Sequence, residues 1–121
     1  MIRTEFTEDR DVLVVFTLEA DAGRGTVSVV GDFNGWDPYA SPLMTSADDP
    51  SIIEAAIRCE PGCRYEFRYL SDAIGWFNDV SAAEFCLNPH GGYNGVLYAP
   101  TAPESGADVD LRETDSATLL G

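Results

Sequence analysis

Apolar and polar positions along this chain change over in short blocks. Val12-Leu13-Val14-Val15-Phe16-Thr17-Leu18 is an apolar run of strand length. Thr26-Val27-Ser28-Val29-Val30 alternates small polar and β-branched residues and then closes apolar. Residues 51–59 form a third block, whose alanines leave a helix open as well as a strand. In 64–70, Tyr65, Phe67 and Tyr69 alternate with Arg64, Glu66 and Arg68, the two-residue period of a strand. A shorter aromatic segment follows at Trp76-Phe77, and Gly95-Val96-Leu97-Tyr98-Ala99 reads as a last strand.

The breaks between these blocks carry turn chemistry. They are Asp21–Gly25, Gly31–Pro38 and Pro61-Gly62, the last read as a hairpin turn. Short strands between turn signals, with no long helical pattern, predict an all-β fold in the form of an antiparallel β-sandwich. From Thr101 the composition shifts to small and acidic residues, with Leu111, Leu119 and Leu120 as the sizeable apolar positions. The expected organisation is one sandwich over residues 1–100 and an acidic, disordered tail over 101–121. Leu119-Leu120 could serve there as a short docking peptide.

Charge narrows the partners. The 121 residues carry 21 acids against 7 bases, a net charge of −14, and all seven bases are arginine. Such a surface repels nucleic acid and anionic membranes, so neither is an expected partner. The acidity fits a solubility device or a high-salt or GC-rich source. No apolar run reaches membrane-spanning length, and Met1–Glu5 lacks the features of a signal peptide, so a cytoplasmic location is expected. The three cysteines are an odd count, which speaks against a secreted disulfide framework. A Cys59–Cys63 bridge across the turn is conceivable, but reduced thiols are the expectation. With one histidine, His90, no metal and no cofactor is expected.

Candidate chemistry is thin for catalysis. Asp32, Asp37, Asp72 and Asp79 lie in or beside turns, where aspartate caps backbone N–H groups. No nucleophile elbow, no Ser/His/Asp spacing and no phosphate-cradling loop is present. His90, between Pro89 and Gly91, reads as a solvated loop residue. A hydrolase built on paired aspartates stays a remote reading. The aromatics in turns are more informative. Trp36, Trp76 and Tyr93 sit among glycine, asparagine and aspartate. A sugar offers an apolar C–H face and a rim of hydroxyls. Indoles suit the first, and Asn, Asp and Arg side chains suit the second. Trp36, Trp76, Arg68 and Asn94 would supply that chemistry if they converge. The competing reading has both tryptophans sealing the ends of the core.

The run Val29-Val30-Gly31-Asp32-Phe33-Asn34-Gly35-Trp36-Asp37 resembles the strand and turn of the early-set domains of isoamylases and glycogen branching enzymes, the family 48 carbohydrate-binding modules. The glycogen-binding domain of the AMP-activated kinase β-subunit is of the same group. Pro61–Leu70, Trp76-Phe77-Asn78-Asp79 and Gly92-Tyr93-Asn94-Gly95-Val96-Leu97 resemble further family motifs in the same order. The resemblance spans roughly residues 10 to 100 and implies an immunoglobulin-like β-sandwich of early-set type. It also implies two tryptophans that stack on glucose rings of an α-1,4-linked chain, here Trp36 and Trp76. A basic residue and an asparagine, here Arg68 and Asn94, would bond the hydroxyls, with Tyr93 as an additional contact. Three positions depart from the pattern. Ser71-Asp72-Ala73-Ile74-Gly75 stands where relatives often read Val-Asp-Gly, Val80 follows Asn78-Asp79 in place of proline, and Arg68 replaces the lysine of the kinase-type domains.

The chain is too short for a catalytic barrel. The expected function is non-catalytic binding of glycogen or a maltooligosaccharide by a stand-alone module. The alternative is a protein-interaction module that docks on a glycan-metabolising or kinase-like partner and carries a vestigial sugar site.

Overall fold

The computed structural model describes residues 1–101. Their strands are β1 (Ile2–Phe6), β2 (Val12–Glu19), β3 (Val27–Gly31), β4 (Met44–Thr45), β5 (Ile52–Cys59), β6 (Arg64–Ser71), β7 (Gly75–Phe77), β8 (Glu84–Leu87) and β9 (Tyr93–Tyr98). They form two antiparallel sheets. One is ordered β1-β2-β5-β4; the other is ordered β3-β6-β9-β8, with β7 paired to β6. The antiparallel β-sandwich expected from the pattern is the fold observed. The acidic tail beyond Thr101, with Leu119-Leu120, lies outside the described residues.

Alternation along two strands builds the core between the sheets. Val12, Val14 and Phe16 of β2 are fully buried, as are Phe67 and Tyr69 of β6. The Phe16 ring lies 5.1 Å from Phe67 and 6.3 Å from Tyr69, the latter edge-on. Each buried side chain of this size stabilises the fold by roughly 1.5–3 kcal/mol. Tyr69 also carries a polar end into the core. Its hydroxyl donates to Asp79 Oδ2 at 2.6 Å. Burial works to raise the Asp79 carboxyl, but donors from Ser81, Tyr69 and the terminal amine outweigh it and hold the carboxyl below its usual range.

Several local readings are settled by pairing. The alanine-bearing block is strand, because β5 pairs with β2 from Val12↔Cys59 to Glu19↔Ile52. Tertiary pairing overrides alanine's helix propensity there. The turn at Glu60–Gly62 is not a hairpin. It carries the chain from one sheet to the other, since β5 pairs with β2 and β4 while β6 pairs with β3, β7 and β9. Gly62 makes the bend at φ 78°. Cys59, Cys63 and Cys86 are free thiols, and burial pushes Cys59 up to about 11. The four turn aspartates do cap backbone donors: Asp32 at Glu66, Asp37 at Tyr39, Asp72 at Thr26 and Asp79 at Ser81.

Three strands left little trace in the pattern. β1 is an edge strand with four of its five residues exposed. β4 is two residues long, and β8 is a four-residue edge. β9 starts at Tyr93, not Gly95, so Tyr93 and Asn94 belong to the strand instead of the loop before it.

Candidate functional site

On β6, alternation sends Tyr65, Phe67 and Tyr69 to one face and Arg64, Glu66 and Arg68 to the other. The outward face is where the candidate site forms. One side of β6 is shared by two partners. β9 pairs with Arg64 through Phe67, and β7 pairs with Tyr69 through Ser71. Arg68 falls at the break between them. Asn78 closes that break, accepting from Arg68 Nε at 3.2 Å and donating to the Tyr93 carbonyl at 2.9 Å. Trp76 is paired with Leu70, so it shares the outward face, and it is 46% exposed. The Arg68 guanidinium lies 5.8 Å from the centroid of its ring, within cation–π range.

The turn after β3 brings the second indole to the same face. Asn34 organises this turn. Its side chain accepts from Gly31 N at 3.1 Å and donates to the Val29 carbonyl and to Ser41 Oγ, each at 3.0 Å. Gly35 and Trp36 then both take left-handed backbone conformations, at φ 67° and 59°. The two aromatics of the turn part company. Phe33 goes inward, 5.5 Å from Phe16 and 5.9 Å from Tyr65. Trp36 stays half-buried outside, and its indole N–H donates to Asp32 Oδ1 at 2.9 Å.

Asn94 sits in the floor, only 7% exposed. Its Nδ2 donates to Glu66 Oε1 at 3.0 Å, and its Oδ1 accepts from Asn88 Nδ2 at 3.1 Å. Glu66 also accepts from Arg64 Nη1 at 2.8 Å. The Asn94 amide and the Arg64 guanidinium hold the Glu66 carboxyl down at about 2. It therefore remains an acceptor near neutral pH and is not a proton donor there. Asn88 in turn fixes the β8–β9 loop, accepting from the backbone N–H groups of His90 and Gly92 at 2.9 and 3.1 Å.

Together these groups line one groove of about 670 Å³. Trp36, Arg68, Trp76 and Asn94 all border it. The reading in which the tryptophans seal the core gives way, since the core rings are Phe16, Phe67 and Tyr69, with Phe33 and Phe77 packed against them. Tyr93 does not border the groove. It pairs with Leu87 while Asn94 pairs with Cys86, so the alternation turns Tyr93 to the opposite face. Asp32, Glu66, Asn88 and His90 line the groove without having been singled out as sugar contacts. Glu66 was legible, two residues from Arg68 on the same strand. Asn88 and His90 carried no local signal, because the pairing of β9 with β6 brings their loop to the groove. Among the described residues, no group of three or more His, Cys, Asp or Glu side chains could hold a metal ion. Nor is any helix there long and apolar enough to cross a membrane.

No family model matches the chain. In an alignment 49 residues long that covers 36% of this chain, it is 45% identical to the 1,4-alpha-glucan branching enzyme GlgB of Cupriavidus pinatubonensis. That stretch spans 6% of the branching enzyme. The chain is thus similar to a small part of a glucan branching enzyme and covers little of that enzyme's length.

Proposed function

We propose that this protein binds an α-1,4-linked glucan, such as glycogen or a maltooligosaccharide, without acting on it chemically. The observation that carries this reading is the convergence of two indoles and one guanidinium on a single groove with a hydrogen-bonded polar floor. Glucose rings offer C–H faces to Trp36 and Trp76, and their hydroxyls accept from Arg68. The local similarity to a glucan branching enzyme supports the substrate class. The small share of that enzyme covered supports a binding role over a catalytic one.

Affinity electrophoresis in gels with and without glycogen tests it. Retardation that persists at high salt is the expected result, because stacking and hydrogen bonding to an uncharged polymer are weakly screened. Equal mobility of the wild type, Trp36→Ala and Trp76→Ala in glycogen gels rejects it.

A second reading, docking on a glycan-metabolising enzyme, has one observation in its favour. Phe85, Leu87 and Tyr93 share one face of the β8 edge and are 47%, 67% and 55% exposed. Capture of no stoichiometric partner on immobilised protein, with glycogen retention intact, leaves the glucan reading alone.

A further inference from the structure

We propose that Asp32 is a positioning residue that presets the Trp36 indole in the groove before any ligand arrives. The inference rests on the glucan reading for its purpose, and on three observations for its mechanism. First, Trp36 holds a left-handed backbone at φ 59°, a region that bulky side chains rarely occupy. The Trp36 backbone N–H donates to the Gly31 carbonyl at 2.9 Å, which holds the turn but not the ring. Second, the indole N–H is committed to Asp32 Oδ1 at 2.9 Å. A donor on an exposed ring would otherwise bond to water and leave the ring free to rotate. Third, the other carboxylate oxygen, Oδ2, accepts from the backbone N–H of Glu66 at 2.7 Å.

Asp32 is therefore a two-point latch. One oxygen is anchored on β6, two residues from Arg68, and the other grips the indole. The latch ties the turn to the strand that carries the guanidinium, so one carboxylate sets the spacing between Trp36 and Arg68. A ring fixed in advance loses less conformational freedom on binding, which raises affinity without adding a contact. Asp32 would not need to touch the sugar to matter.

The arrangement predicts a coupling that a merely structural role would not produce. Asp32→Ala in the otherwise wild-type chain should weaken glycogen binding about tenfold, the loss of one charge-assisted hydrogen bond that orders the ring. Trp36→Phe keeps an aromatic face but has no N–H to grip. In that background, Asp32→Ala should change affinity by less than about twofold. A double-mutant cycle over these four proteins reads the coupling directly. Equal loss in both backgrounds, or no loss in either, overturns the proposal. Asp32→Asn guards against a folding failure. Its single remaining oxygen can satisfy the indole or Glu66 but not both, so its loss should be intermediate.

The indole N–H itself gives a readout independent of glycogen. Of the two tryptophan indole signals in a proton–nitrogen correlation spectrum, the one absent from Trp36→Phe should exchange slowly with water in the free wild type. It should exchange faster in Asp32→Ala and Asp32→Asn, with the Trp76 signal unmoved. A Trp36 signal that already exchanges freely in the wild type overturns the latch. If the wild type shows no retention on glycogen, the function proposed above fails, and this signal alone decides whether Asp32 presets the ring.

Discussion

β6 has two faces that obey different physics. Inward, Phe67 and Tyr69 are fully buried among other rings, in contacts that are apolar and tolerant of angle except where the Tyr69 hydroxyl meets Asp79. Outward, Arg64 and Glu66 join Asn94 and Asn88 in one run of directed hydrogen bonds, and Arg68 bonds Asn78 in another. Both faces come from one strict alternation over eight residues. The difference teaches that stability and recognition are carried by neighbouring residues that do not share partners. Changes on the inner face should move folding, and changes on the outer face should move binding.

Phe67→Ala is the strongest way to test the inner half. The Phe67 ring fills the space that a side chain at Gly95 would need, within 3.2 Å of where a Cβ would stand. Its removal leaves a cavity between backbones that cannot easily close. A loss of about 3–5 kcal/mol in urea unfolding is expected. A loss below about 1 kcal/mol would mean that the core does not depend on this ring.

Tyr69→Phe is a finer cut on the same face. The ring stays, but the buried Asp79 carboxylate loses a donor at 2.6 Å. The expected cost at neutral pH is about 1–3 kcal/mol. The pH dependence gives the sign. Asp79 is held below its usual value of 3.8 in the folded protein. Its stabilising contribution is complete above that pH and is lost as pH falls through the lower, folded value. With Tyr69→Phe that depression shrinks, so the gap between variant and wild type should narrow in urea titrations as pH drops below about 3.8. A gap that widens on acidification would show that Asp79 does not favour ionisation through Tyr69.

The inner face was largely legible in the sequence, and so was the outer face of β6, because a two-residue period marks both at once. Trp36, Trp76, Arg68 and Asn94 stood out by residue type, and they border one groove. Tyr93 misled, since its glycine-rich neighbours suggested a loop. β9 begins at that residue, and one step of register sends its ring to the other face. Asn88 and His90 were hidden because nothing near them in the chain points to Trp36. They sit at the tip of the β8–β9 hairpin, and the long-range pairing of β9 with β6 brings that tip to the groove. The route of Glu60–Gly62 between sheets was illegible for the same reason. A proline-glycine turn fits a hairpin and a sheet-to-sheet crossing alike, and only the partners of β5 and β6 decide.

Trp76→Ala probes the outer half. The ring is 46% exposed and contributes to the groove more than to the core, so the stability change should stay under about 1 kcal/mol. Glycogen retardation should nevertheless disappear. Comparable losses in folding and in retention would merge the two faces and break the contrast drawn from β6.

The smallest change that sharpens the contrast is Arg68→Lys, which keeps the charge and alters its shape. The guanidinium does two things at once. Its Nε bonds Asn78, which closes the break between β7 and β9, and its Cζ lies over the Trp76 ring. A lysine ammonium can do one or the other, and it lacks the planar fork that suits paired hydroxyls. Stability should change by no more than about 0.5 kcal/mol, because the hydrogen bond is partly exposed. Glycogen binding should weaken about three- to tenfold, the loss of a modest directed interaction. Retention equal to the wild type would mean that positive charge and two indoles suffice at this groove. Retention lost together with faster exchange of the Asn78 side-chain amide would mean that Arg68 acts through Asn78. Its task would then be to hold Trp76 and Tyr93 in register, which makes the outer face more like the inner one than the geometry of β6 suggests.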